Sequence, residues 1–297
     1  MRADRRGLFA VLAALLVLAL LERPAQAHHV AGHGSSEGVR NINSLGNRGG
    51  RASTRLMLLD EFVHSSGGVG RVPATRNDLS LLGEYAPLPA FSLGASLPFT
   101  VLHERPLEAA PRTAVGLGDA RAFLRWTPHA DKLIHRTLTL GLSASFPTRT
   151  VRATIDPGDT WTLSPSLLFT RTYGRGYWQL LALAAGEARP AGLALDASVG
   201  AQGGARVAQD RLALGGGVLV DVRAANWCRA VGGGLDSCLT NRPGESEREV
   251  GSTRATLLAH AAWSFHPRGS LTASVQVPVT PKRDFDVGAS LGIQALF

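Results

Sequence analysis

The chain has 297 residues, a formal net charge of +8 and a mean hydropathy of +0.05, with 34 glycines and only two cysteines. Positive charges are scattered, and Lys132 and Lys282 are the only lysines, so arginine supplies nearly all of them. That excludes the clustered basic footprint of a nucleic-acid-binding protein, and a mildly cationic pore or loop surface fits better.

The chain opens with basic Arg2, Arg5 and Arg6, an apolar run from Leu8 to Leu21, and the small-x-small triplet Ala25-Gln26-Ala27. This pattern reads as a secretory signal over residues 1–27, with the run short for a membrane span. Residues 28–51 are rich in Gly, His, Ser and Asn and have no period, which predicts a flexible segment. His28, His29 and His33 lie close enough in it to form a candidate metal set of Zn, Cu or Ni type. A polar linker that happens to carry histidines is the competing reading. No cofactor is expected.

From Ala52 onward, segments of about ten residues alternate apolar and polar positions, as membrane-crossing strands do. Clear cases begin at Phe91, Thr137, Thr160, Leu193, Leu212, Arg254, Ser270 and Asp284. Weaker ones cover Ala52–His64, Asn77–Ala86, Gly116–Thr127 and Tyr177–Ala185. The expected architecture for 52–297 is an all-β, transmembrane antiparallel up-and-down β-barrel of about twelve strands. A soluble β-sandwich also alternates, but its strands average about half this length. Short turns such as Tyr173–Gly176 alternate with longer connections such as Pro147–Asp159 and Ala224–Val250, so the short ones belong on the periplasmic side. Tyr85, Phe91, Trp126, Tyr177, Trp178, Trp263 and Phe265 are expected to form a periplasmic aromatic girdle, with Trp161 and Phe285 in a sparser outer one.

The last strand alternates from Phe285 to a terminal Phe297. Outer-membrane barrels of Gram-negative bacteria usually finish this way, so the expected location is that membrane. Its lipid and lipopolysaccharide, and the barrel-assembly machinery acting through this strand, are the expected partners. Cys228 and Cys238 flank a glycine-rich stretch of the longest external loop, and an oxidising compartment favours a disulfide between them.

If the polar parity faces inward, Glu84, Asp119, Arg121, Arg125, Asp196, Asp221, Arg223, Arg254, His260 and Asp286 line the lumen, together with Asp78. Such charges either brace the wall in lateral pairs or select a permeant. His64-Ser65 invites comparison with a barrel phospholipase, but no arranged nucleophile, base and orienting group can be read here. An enzyme is not expected.

Gly116-Leu117-Gly118-Asp119 opens a strand, Phe146-Pro147-Thr148 ends the next, and Pro157-Gly158 and Tyr173-Gly174 follow. Over Asn77 to Phe297 this series resembles a family of outer-membrane barrels described as transporters of the MetA-pathway of phenol degradation. The resemblance implies a porin-like passive channel for a small-molecule permeant, hydrophobic or aromatic, and brings no catalytic residues. A non-conducting structural or metal-handling surface protein is the alternative.

Overall fold

The structure, a computed structural model, describes residues 52–66, 72–106, 110–131, 136–151, 159–189, 192–208, 211–228, 251–280 and 285–297. The proposed signal and His28, His29 and His33 lie outside them, as does Cys238. Cys228 ends a strand, and its pairing lies outside what the described residues show.

Among the described residues thirteen strands follow in chain order: β1 (Arg55–Ser65), β2 (Ala74–Leu88), β3 (Phe91–Glu104), β4 (Arg112–Leu117), β5 (Arg121–Asp131), β6 (Arg136–Ser145), β7 (Trp161–Tyr173), β8 (Gly176–Arg189), β9 (Gly192–Val207), β10 (Leu212–Cys228), β11 (Thr253–His266), β12 (Gly269–Pro278) and β13 (Val287–Leu296). Each pairs antiparallel with its neighbour, and β13 closes on β1 from Arg55↔Leu296 to His64↔Val287. Closure of β13 on β1 pairs what would be the two end strands of an open sheet, while the short β4 pairs with β3 alone.

The thirteenth strand, β4, covers residues that the sequence reads mostly as the connection before a strand starting at Gly116, and a break separates it from β5. β3 pairs β5 along its first half (Phe91↔Trp126 to Ser96↔Arg121) and β4 along its second (Phe99↔Leu117 to Glu104↔Arg112). The register slips by one residue between them, at Gly118-Asp119-Ala120. A one-residue slip exchanges the two faces. Hence Ala114 and Gly116 face inward on β4, while Asp119, Arg121, Phe123 and Arg125 do so after the break. The barrel is therefore a closed twelve-position wall built from thirteen strands.

Burial follows the predicted parity. Leu58, Leu79, Leu93, Phe99, Leu124, Leu163, Leu180, Leu214, Leu257, Val275 and Ile293 stand exposed on the outside, and the polar partners between them are buried within. A soluble sandwich would bury the apolar face instead. Pro128 to Asp131 continue β5, so this connection is shorter than the sequence suggests. At the opposite end only two residues separate β8 from β9, where a longer external loop is the usual pattern.

Tyr85, Trp126, Trp263 and Phe265 stand exposed near the end that carries Thr54, Phe297 and most of the short turns. Trp178 packs on Phe169, with ring centroids 5.2 Å apart. Two expected girdle members are displaced. Tyr177 takes the inward parity of β8 and is buried, its hydroxyl paired with His260 Nε2. Phe285 precedes β13 and is only 3% exposed. Its place in the outer girdle is taken by Phe146, which packs edge-on against Trp161 at 5.5 Å.

Candidate functional site: the lumen and its outer mouth

Three layers of side chains fill the barrel. Nearest the termini, one hydrogen-bonded ladder crosses β12, β13, β1, β2, β3 and β5. Gln294 Nε2 donates to Ser270 Oγ at 2.8 Å, and Arg55 Nη1 donates to Gln294 Oε1 at 3.5 Å. Arg55 Nε then meets Glu84 Oε2 at 2.7 Å, and Arg125 Nη1 reaches the same oxygen at 3.1 Å. Ser92 Oγ donates to Glu84 Oε1 at 2.6 Å. Register makes this possible, because Arg55 is opposite Glu84 and Ser92 is opposite Arg125. Between them lies Gly94, over which the Phe123 ring sits, and the Arg125 guanidinium stands 4.9 Å from that ring's centre. Two guanidinium groups thus share one carboxylate inside the wall.

At mid-height apolar side chains join the inward positions, interleaved with buried Ser80, Thr139, Thr256 and Gln276. Leu168, Leu181, Leu219 and Leu258 form one buried cluster on the β7–β11 wall. Met57 and Leu59 are buried on the inner face of β1, 1% and 4% exposed. These leucines sit on the parity that the sequence reads as polar.

Toward the long loops, charge returns. Asp196 meets Arg223 at 2.7 Å, Ser198 Oγ donates to Asp221 Oδ1 at 2.5 Å, and Arg254 lies opposite Asp221 on β11. Asp78 accepts from Thr100 and pairs with Arg76, and Glu104 pairs with Arg112. A double-mutant cycle on Asp196 and Arg223, each changed to Ala and read by urea unfolding, is expected to give a coupling of about 2–3 kcal/mol. A value near zero would mean that the pair is spectating.

The mouth is narrowed by the stretch after β6. Phe146 N donates to Ala120 O, Ala120 N to Thr148 Oγ1, and Leu117 N to Thr150 Oγ1. The chain then leaves the wall and turns over the inner face of β4. Val151 packs on Ala74, Leu102 and Ala114, all inward-facing. Arg149 is clamped by Asp119, through its backbone N and its Nη1, both at 3.2 Å. Gly116 permits this approach, since a Cβ there would stand 2.8 Å from Val151 Cγ2. Residues 146–151 therefore form a strap across part of the outer mouth. Two of the motifs that carry the sequence resemblance, Gly116–Asp119 and Phe146–Thr148, are in direct contact and make one device.

The sequence-predicted lumen residues are thus distributed among distinct groups. Glu84 and Arg125 belong to the ladder, with Arg121 on the same inner face of β5. Asp196, Asp221, Arg223 and Arg254 form the outer cluster, and Asp119 holds the strap. His260 faces inward on β11 beside Tyr177. Asp286 is at the rim, where Oδ2 accepts from Ser66 N at 2.5 Å. Sequence reasoning missed Arg55, Ser92, Gln294 and Arg149. The first three could be found once register pairs them with charged neighbours. Arg149 could not, because it lies beyond the regular strand. His64 and Ser65 are adjacent in sequence but face opposite sides: His64 Nδ1 bonds Thr75 Oγ1 outside, and Ser65 is buried within. They form no nucleophile–base pair.

No protein-family model matches the chain, and no curated protein matches it by sequence. Solved structures do resemble it. The COG4313 outer membrane channel from Pseudomonas putida F1 aligns at 12% identity with a TM-score of 0.62, covering 83% of this chain and 96% of that one. The transport unit of the autotransporter AIDA-I from Escherichia coli aligns at 10% identity and TM-score 0.52, covering 91% and 99%. The translocator domain of the autotransporter NalP from Neisseria meningitidis aligns at 12% identity and TM-score 0.50, covering 89% and 96%. What the chain shares with these proteins is the fold of an outer-membrane β-barrel.

Proposed function

We propose that this protein is a passive, non-catalytic outer-membrane channel for a small apolar or aromatic solute, of the kind that the MetA-type resemblance implies. The observation that carries the reading is the group of buried apolar side chains Leu168, Leu181, Leu219, Leu258, Met57 and Leu59, set among uncharged Ser, Thr and Gln, inside a barrel whose inner ends are charged. Ion selectivity comes from rings of carbonyls or charged side chains, whereas uncharged mid-height lining with buried leucines favours a solute that needs no hydration shell. The COG4313 neighbour is itself an outer membrane channel by its title, and this agrees with the reading. Terminal Phe297, 56% exposed, is proposed as the signal read by the assembly machinery, and the outer wall as the surface that meets lipid and lipopolysaccharide.

A second reading is favoured by a specific feature: Leu219, Ser92, Asp196 and Asp221 are 0–1% exposed, so the interior is tightly packed. A purely structural barrel would be packed in this way. Planar-bilayer recording of the full chain separates the two. A channel gives discrete openings that are blocked when a small aromatic solute is added and unaffected by a sugar of similar size. Silence under all conditions supports the structural barrel.

A further inference from the structure

On the outer wall, the positions between the two rims are apolar, glycine or proline on every strand, among the described residues, with two exceptions. These are Asp60 on β1 and Asn77 on β2. Asp60 lies between Leu291 on β13 and Leu79 on β2, which are 52% and 42% exposed. It shares their face, because the buried Leu59 and Glu61 on either side of it point inward. Asn77 stands between Phe62 and Val101, one step diagonally from Asp60. Neither side chain has a hydrogen-bond or ion-pair partner among the described residues. Diagonal neighbours on one sheet face are about 7–8 Å apart, so the two do not satisfy each other.

A charged side chain on the lipid face is destabilising, less for a carboxylate than for Arg or Lys. Ionisable groups at membrane depth are partnered or face away from lipid. The polar row above, His64–Thr75–His103–Thr113, is different: it lies at the rim and bonds internally, His64 to Thr75 and His103 to Thr113. Asp60 and Asn77 have no such arrangement.

We propose that the outer face of β1 and β2 is where a second copy of this chain docks, with Asn77 of each copy donating to Asp60 of the other. The patch supplies both halves of the bond it needs, one acceptor and one donor. A two-fold interface places residue i against j and j against i, so this pair closes on itself twice. Gly83 and Ala95, outward on β2 and β3 in one row, keep the face next to it flat. Small residues of this kind let backbones approach closely within a membrane.

The test is the oligomeric state of the full chain in density-matched detergent and in lipid nanodiscs, by sedimentation and by mass. The wild type is expected to be a dimer. Asp60→Asn and Asn77→Leu are each expected to weaken association at least tenfold. The exchange Asp60→Asn with Asn77→Asp restores it, because each copy again carries one acceptor and one donor. A monomeric wild type, or singly substituted chains that associate as tightly as wild type, would overturn the proposal. So would stoichiometric co-purification of the monomer with lipopolysaccharide that is lost in Asp60→Asn, which would assign the patch to lipid.

Discussion

Glu84→Leu lowers the unfolding free energy of the barrel by about 3–5 kcal/mol, the range expected when one member of a buried ion cluster is removed. Its carboxylate receives Arg55, Arg125 and Ser92, and all four residues are at most 6% exposed. Removing it leaves two guanidinium groups facing each other across the inner wall. Their repulsion and lost solvation act together, because both guanidinium groups are buried. Glu84→Gln keeps the volume and the acceptor for Ser92 but removes the charge, and is expected to recover only a minor part of the loss. Urea unfolding in lipid vesicles, followed by Trp fluorescence, gives the number. A change under 1 kcal/mol would show that the ladder is not a structural brace. Arg55→Leu is expected to have a smaller effect than Glu84→Leu, since Arg125 continues to balance the carboxylate.

Loosening the strap opens the outer mouth. The strap is anchored by Asp119 on Arg149 and by Val151 against Ala74, Leu102 and Ala114. Gly116→Val places a side chain where Val151 Cγ2 lies, at a Cβ distance of 2.8 Å that no ordinary contact tolerates. Neither residue can give way without moving residues 149–151 off the inner wall. Gly116→Val and Asp119→Ala are each expected to raise single-channel conductance several-fold, and Asp119→Ala also lowers stability, because it removes the partner of the buried Arg149. The double variant should resemble the singles, since both act on one element. Unchanged conductance in both would mean that the mid-height lining alone sets the resistance.

The two predictions concern features that differ in how well the sequence exposes them. Alternation was legible wherever the inward residues are small or polar, as in Phe91–Val101 against Ser92, Gly94 and Ser96. A transmembrane barrel places its oily face toward lipid, so the parity could be read as outward directly. The mid-height leucines obscured this rule. Leu168, Leu181, Leu219 and Leu258 put apolar residues on both faces, so Tyr177–Ala185 shows no clean period. Tyr177 itself was misplaced because an aromatic residue at a strand end resembles a girdle member. Its parity with the buried Gln179 is the signal that would have turned it inward.

The strap left no periodic trace. Its glycine and aspartate belong to one strand position and its Phe-Pro-Thr to the next, and only their contact in three dimensions explains why they occur together. The break at Gly118–Ala120 leaves only a change of phase, from Val115 and Leu117 on odd positions to Ala122, Leu124 and Trp126 on even ones, which is too short a signal on the β4 side to mark a separate strand. Arg55 and Gln294 became ladder members only when closure placed β13 beside β1, a contact between the two ends of the described chain.

Nitroxide scanning of β11 in a cysteine-free background tests the arrangement of the whole barrel. Single substitutions to cysteine from Ala255 to Ala262, labelled and reconstituted in bilayers, are read by collision with dissolved oxygen, which concentrates in lipid. Positions 255, 257, 259 and 261 are expected to show high oxygen accessibility, and 256, 258, 260 and 262 low accessibility, a period of two along the strand. Uniform accessibility along the strand, or high values at Thr256 and Leu258 with low values at Leu257, would contradict the barrel described here.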